Sequence, residues 1–383
     1  MSKALYADRY TVPDMPSADE ILPYLREIDH NLWYSNHGPM VSTFEKRFAE
    51  RMAAAHGDPQ PFYAVTLASG YTALRMGLRL LGVTNGWNVL MPAVNFPACP
   101  HAVSNMGGTP ILCDVDEAEW TLTPAIARAV AAKTKIDVVV PVSLYGIGLP
   151  AQEWDAFTEE TGIPVLIDAA AAIETQTYLR RGLVAHSMHA TKPFGVGEGG
   201  MLVTADPDMA QKIRITSNFG MVDRLTLYPG ENAKMSEYYG AIGLVQLERW
   251  EKAKRCRAKI LSLYASALEK VDGMASLHPA LHHTIVSCLM LRVAQGKATE
   301  IVKALADKGI ASHRTYFPPL YAHPFFAALT RYDAQGTLVQ DAVLPVCAAL
   351  EQSVLGLPFF PLLSADDVGV ISDAFALSLQ ETL

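Results

Sequence analysis

Residues Ile136 to Val142 read Ile-Asp-Val-Val-Val-Pro-Val, an almost uninterrupted apolar run. Such a run is stable where a strand is covered on both faces, as in a parallel sheet sandwiched by helices. It does not stand alone. Further strand-like runs occupy Phe62–Leu67, Asn88–Pro92, Thr109–Val115, Ile163–Asp168, His186–Thr191 and Met201–Thr204. Helical patterns separate several of them, starting near Ser69, Asn95 and Pro124. Strands alternating with helices over about 130 residues predict an α/β domain built of βαβ units.

The flanks read differently. Ser17 and Glu20 form a capping box ahead of Ala18, Ile21, Leu22, Leu25 and Ile28 at helical spacing, which predicts a helix there. Asn36-His37-Gly38-Pro39 breaks it, and a second helix is expected from about Ser42. The longest helical pattern begins after Ser236-Glu237 and continues through Trp250 to Leu268. Beyond it come a strand (Ile285–Val293), a helix (Thr299–Lys308), an extended piece (Ser312–Phe317), a helix ending near Ser353, and a last helix capped by Ser364. The expected division is a large α/β domain over 1–250 and a smaller α+β domain over 251–383.

Half of the 383 residues are hydrophobic, 18% are charged, and the formal net charge is −8. This composition buries a substantial core and excludes a dominantly disordered chain. With no dense Lys/Arg run, nucleic acid and membrane surfaces are poor partners. No apolar stretch reaches membrane-spanning length, and Met1–Pro13 lacks the apolar segment of a signal peptide. The five cysteines (Cys99, Cys113, Cys256, Cys288, Cys347) lack CxxC spacing. They read as small buried apolar residues in a reducing cytoplasm, without a disulfide framework or a metal site.

Candidate chemistry centres on Lys192. It follows a β-prone run and precedes Gly195-Val196-Gly197-Glu198-Gly199-Gly200. Glycines allow backbone to approach a ligand closely, and a partly desolvated lysine becomes an amine nucleophile. By itself the stretch reads equally well as a surface turn with a solvated lysine. Asp168 stands at the C-terminal end of its strand, where ligands of open α/β sheets gather, although a carboxylate there also caps helices. The order strand, Ser69-Gly70-Tyr71, helix presents free N–H groups and a positive dipole end to an anion, although such a turn is commonly only a helix cap. Phe96 opens the next helix. Together these groups suit pyridoxal 5′-phosphate: an amine for its aldehyde, a carboxylate for its ring nitrogen, N–H donors for its phosphate and an aromatic for its ring face.

Nearly end to end, the sequence resembles the DegT/DnrJ/EryC1/StrS sugar aminotransferases, pyridoxal-phosphate enzymes of fold type I with an aspartate-aminotransferase-like large domain. The resemblance is carried by Asn36-His37-Gly38-Pro39, Ser69-Gly70-Tyr71-Thr72-Ala73-Leu74, Asn95-Phe96-Pro97-Ala98, Cys113-Asp114-Val115-Asp116, Leu144-Tyr145-Gly146, Ile167-Asp168-Ala169-Ala170, His189-Ala190-Thr191-Lys192, Gly197-Glu198-Gly199-Gly200 and Asn232-Ala233-Lys234-Met235-Ser236-Glu237. It implies that Lys192 is the Schiff-base lysine, Asp168 pairs with the pyridine nitrogen, and Phe96 stacks on the ring. It further implies that Gly70, Tyr71 and Ser187 hold the phosphate. Asn232 would reach the cofactor of a neighbouring subunit, so a homodimer with shared sites is expected. Tyr316 is similar to a segment that closes over the substrate.

Three positions depart from the family pattern. Tyr71 replaces a threonine, Ala171 replaces a glutamine or histidine that touches the cofactor's phenolic oxygen, and Pro319-Leu320-Tyr321 replaces Pro-Leu-His. The implied reaction moves an amino group from glutamate or glutamine, through the pyridoxamine form, to a nucleotide-linked 3-keto or 4-keto sugar. An aminocyclitol precursor or another cyclic ketone is the alternative acceptor, and a catalytically inert cofactor-binding regulator is the reading from another class.

Overall fold

A computed structural model describes residues 8–58, 60–271, 273–283, 285–340 and 342–383; residues 1–7 of the N-terminal segment read above lie outside them. In chain order the first half comprises α1 (Ala18–Asn31), α2 (Pro39–His56), β1 (Tyr63–Leu67), α3 (Gly70–Leu80), β2 (Asn88–Pro92), α4 (Ala98–Ser104), β3 (Thr109–Cys113), α5 (Pro124–Ala131), β4 (Val138–Val139), α6 (Ala151–Thr161) and β5 (Leu166–Asp168). Next come β6 (Leu183–Ser187), β7 (Gly200–Thr204), α7 (Pro207–Thr216), a small hairpin of β8 (Met221–Val222) and β9 (Leu225–Thr226), and the 32-residue α8 (Glu237–Leu268). The last part holds β10 (Ala275–Leu277), β11 (Leu289–Val293), α9 (Ala298–Asp307), β12 (Arg331–Tyr332), α10 (Pro345–Ser353), β13 (Val354–Leu357) and α11 (Ala365–Thr382).

The large sheet has two ladders, β1-β7-β6-β5 and β4-β2-β3-β12. Parallel bridges Val139↔Val165 and Val142↔Asp168 join them into one continuous surface. Pairing is parallel except where β7 meets β1 and β6. The apolar run at 136–142 therefore lies at the middle of the sheet, buried from Val138 through Tyr145. Only Val138 and Val139 keep ladder geometry there, because the remainder contacts β5 through single bridges. Helices cover both faces. α3 packs so closely that a Cβ built on Gly77 would stand 2.9 Å from Leu166. A separate antiparallel sheet, β10-β11-β13, carries α9, α10 and α11.

Several boundaries differ from the sequence reading. β6 spans Leu183–Ser187 rather than His186–Thr191, because it is registered on β5 with Leu166 opposite Leu183 and Asp168 opposite Ala185. Beyond Ser187 the chain becomes a loop folded on itself, with Met188 N donating to Gly199 O and Ala190 N to Gly197 O, both at 2.8 Å. Strand β3 stops at Cys113, where the Asp114 carboxylate turns to accept from Val346 N and Cys347 N at 2.9 Å and caps α10. Helix α7 is additional, capped by Asp206 with Pro207 at its first position; the same Asp-Pro signal is visible in the sequence. Among the described residues no helix is long and apolar enough to cross a membrane.

Candidate active site

The start of α3 and the end of β6 meet at the C-terminal edge of the sheet. Ser69 caps α3, its Oγ accepting from Thr72 N at 3.1 Å and pairing with Thr72 Oγ1 at 2.9 Å. The amides of Gly70 and Tyr71 sit ahead of any intrahelical acceptor and point outward at the positive dipole end. Ser187 lies directly against this turn. A Cβ built on Gly70 would stand 2.6 Å from Ser187 Cβ and 2.9 Å from its Oγ, so only glycine admits the approach. The Tyr71 ring leads away: its hydroxyl accepts from Asn105 Nδ2 at 2.5 Å beyond the end of α4. Tyr71 therefore offers its backbone amide here, while its phenol ties α3 to α4. Two outward amides beside a serine hydroxyl make an anion cradle.

Asp168 ends β5 and is 4% exposed. Its Oδ2 accepts from Cys99 Sγ at 3.0 Å and its Oδ1 from Ala170 N at 3.0 Å. Burial raises the Asp168 pKa; the Cys99 thiol, the Ala170 amide and the nearby positive charge of Lys192 oppose that rise. Lys192 leads the loop after β6, with its backbone N donating to His189 O at 2.8 Å. Its ammonium also favours the charged form of Cys288. The structure thus brings Lys192 and Asp168 into one electrostatic neighbourhood from loops that follow adjacent parallel strands.

Tyr316 closes the same space from the C-terminal part of the chain. Its φ of 72° is left-handed, uncommon for a residue with a side chain. Its ring packs against Tyr145 with centroids 5.4 Å apart, and Tyr145 Oη donates to Thr315 O at 3.1 Å. Burial pushes the Tyr316 phenol up, reinforced by Cys288, Asp168 and Cys99, so this hydroxyl stays protonated and able to donate. Phe96 is 62% exposed just before α4 and leaves a ring face uncovered. Ala171 is buried and brings no polar group.

Asn232 stands apart. Its Oδ1 accepts from Lys234 Nζ at 2.8 Å, and the same ammonium donates to Asn218 Oδ1 at 2.8 Å. Nearby Phe219, Met221, Leu225, Leu227 and Tyr228 are all exposed.

Sequence reasoning missed Cys99, Cys288 and Tyr145. The cysteines were read as small apolar residues; all five are free thiols, but Cys99 is engaged with Asp168, and Cys256 and Cys288 are only half-buried. Tyr145 lies within Leu144-Tyr145-Gly146, and its packing on Tyr316 and bond to Thr315 O bring it to the same region.

This fold, with a lysine loop, a buried strand-end carboxylate and an anion cradle at one sheet edge, defines a pyridoxal-phosphate-dependent enzyme of fold type I. The DegT/DnrJ/EryC1/StrS aminotransferase family matches residues 16–376, and the chain belongs to it. The chain is 30% identical over 368 residues to the spore coat polysaccharide biosynthesis protein SpsC of Bacillus subtilis, covering 89% of this chain and 90% of that protein. It is 29% identical over 348 residues to the GDP-perosamine synthase of Caulobacter vibrioides, covering 86% and 91%. The crystal structure of DesI in the presence of its TDP-sugar product superposes with a TM-score of 0.81 at 26% identity, over 99% of this chain and 94% of that one.

Proposed function

We propose that the chain transfers an amino group from glutamate or glutamine to a nucleotide-linked 3-keto or 4-keto deoxysugar, with Lys192 as its catalytic residue. The reading is supported by the placement of Asp168 within electrostatic reach of Lys192 and Tyr316, with Ser187 packed on Gly70 after the strand that neighbours the one ending in Asp168. The nucleotide-sugar acceptor is supported by relatives named for such chemistry, the GDP-perosamine synthase and an Escherichia coli dTDP-4-amino-4,6-dideoxy-D-glucose transaminase that is 27% identical over 376 residues.

The residues fit pyridoxal phosphate in kind. The amides of Gly70 and Tyr71 with the Ser187 hydroxyl would hold its phosphate, Phe96 would cover its ring, and Asp168 would hold its pyridine N–H. When bound, the cofactor supplies an electrophilic carbon and an electron sink. Lys192 Nζ would take the proton from the amino donor's α-carbon as base and, as acid, deliver it to the cofactor's electrophilic carbon. Burial raises the Asp168 pKa, and Cys99, Ala170 N and Lys192 favour its charged form against that rise; as a carboxylate it would hold the ring nitrogen's proton in place. Tyr316 and Tyr145 cover the opening and exclude water. Ala171 brings no polar group to the phenolic oxygen.

The assembly proposed is a homodimer, Asn232 reaching the partner's cofactor phosphate. It is supported by the exposed apolar residues between Phe219 and Tyr228, a patch of the kind that marks an interface. As a further proposal, the chain divides into the large sheet domain and a smaller domain on β10, β11 and β13, joined by α8; residue 250 lies within α8. Free thiols throughout fit a cytoplasmic setting.

Protein loaded with pyridoxamine phosphate and offered a panel of nucleotide 3-keto and 4-keto sugars should regain the pyridoxal absorbance with at least one member. Conversion by free aminocyclitol ketones alone would overturn the nucleotide-sugar reading.

A further inference from the structure

One buried side chain of α4 meets the Asp168 carboxylate directly. Cys99 Sγ is 2% exposed and donates to Asp168 Oδ2 at 3.0 Å. Behind it stands Asn95, also 2% exposed. Its Oδ1 accepts from Phe96 N at 2.7 Å, which leaves Nδ2 as its free donor. That Nδ2 is buried without a hydrogen-bond partner, and burial together with the neighbouring Asp168 charge pushes the Cys99 thiol up, so it stays protonated. The protonated thiol therefore has its hydrogen available for the carboxylate it meets.

The geometry points to Cys99 as a positioning residue: its thiol fixes the rotamer and favours the charged form of the Asp168 carboxylate that receives the cofactor's ring nitrogen. This rests on the proposed pairing of Asp168 with that nitrogen. The thiol occupies Oδ2 and the Ala170 amide occupies Oδ1, so the carboxylate is held from two sides, with its remaining lone pairs open to one incoming N–H. Other charged or titratable groups acting on Asp168 are Lys192 from the loop after β6 and Tyr316 from the C-terminal segment. Neither appears among the hydrogen-bond partners of the carboxylate. Cys99 alone among the described side chains donates directly to it, and loss of that donor favours the protonated, cofactor-repelling form.

The test uses full-length apoprotein titrated with pyridoxal phosphate from pH 5 to 8, read by tryptophan fluorescence, and with 15N-pyridoxal phosphate read by NMR at the ring nitrogen. Cys99→Ala should weaken binding by about five- to tenfold at pH 6 and less at pH 8, with acid loss of affinity displaced to higher pH. Cys99→Ser should restore most of the affinity, since a hydroxyl donates to the same oxygen. Thermal unfolding of each variant shows whether the fold survives. If Cys99→Ala fails to fold, the Cys99→Ser and Cys99→Val pair decides, the first keeping a donor to Oδ2 and the second removing it and shifting the nitrogen resonance. A pH-independent weakening, or no change in the 15N resonance, would overturn the proposal. Asp168→Asn is the separate control: an unchanged resonance there removes the pairing itself, whereas a changed one with Cys99→Ala silent removes only the role of Cys99.

Discussion

His186 shows how neighbouring residues on one strand acquire opposite fates. Side chains alternate along β6, so Ser187 faces the cradle while His186 enters the core between Phe48 and Tyr178, with ring centroids 6.1 and 5.8 Å away. Its Nδ1 meets Ala169 O at 3.1 Å, an acceptor that fixes the hydrogen on Nδ1. Its Nε2 is buried without a partner, so a second proton would have nowhere to donate. Burial accordingly lowers the His186 pKa to about 4, despite the Ala169 carbonyl. A depressed folded pKa means stability that is complete above the unfolded value near 6.5 and is lost as pH falls toward 4. The contribution is roughly 3 kcal/mol at full protonation difference. Urea unfolding at pH 7 and 4.5 should show a smaller acid loss in His186→Gln than in the unaltered chain; equal losses would contradict it. At this scale the placement of Asp168 at a strand end and of Lys192 in a loop was legible, because each belongs to a contiguous motif. The bond from Cys99 to Asp168 was not, since it joins residues 69 apart that only the sheet brings together.

At the scale of elements, the sequence located most helices and strands but misjudged those whose ends depend on distant partners. Helix α2 was expected from about Ser42 and begins at Pro39. Its first turn is capped by Glu237, some 200 positions away, whose carboxylate accepts from Met40 N at 2.7 Å and Val41 N at 3.3 Å. Gly38 at the N-cap has no side chain to do this. Glu237 is itself fully buried, and burial raises its pKa while the backbone donors of Met40, Val41 and Gly38 lower it. Glu237→Ala strands those amides and should lower unfolding free energy by about 1–3 kcal/mol, measured by urea denaturation. Glu237→Gln, which keeps an acceptor, should lose less; equal losses would show that packing rather than capping is at stake. Strand β12 escaped notice for a related reason. It is two residues long and exists through pairing with β3, without a hydrophobic run of its own. By contrast, the capping boxes of α1 and α11 are wholly local, and both form as Ser17-Glu20 and Ser364-Asp367 announce.

At the scale of the whole molecule, the central parallel sheet sets the chemistry. Parallel strands end on the same edge, so the termini of β5 and β6 deliver Asp168 and the Ser187–Lys192 loop to one place, while β7 returns antiparallel and brings Gly200 against Ser69. The C-terminal part then adds Tyr316 from above. The sequence reading left the order of these strands open, and the joining of the sheet's two halves through Val139–Val165 and Val142–Asp168 could not be read from apolar runs alone. The account stands or falls on Lys192 as the attachment point for the cofactor. Holoprotein should be reduced with sodium borohydride, digested and mapped by mass spectrometry. The account predicts a pyridoxyl adduct on the peptide that carries Lys192 and none in the Lys192→Ala variant. An adduct on another lysine, or one that persists unchanged in that variant, would contradict it.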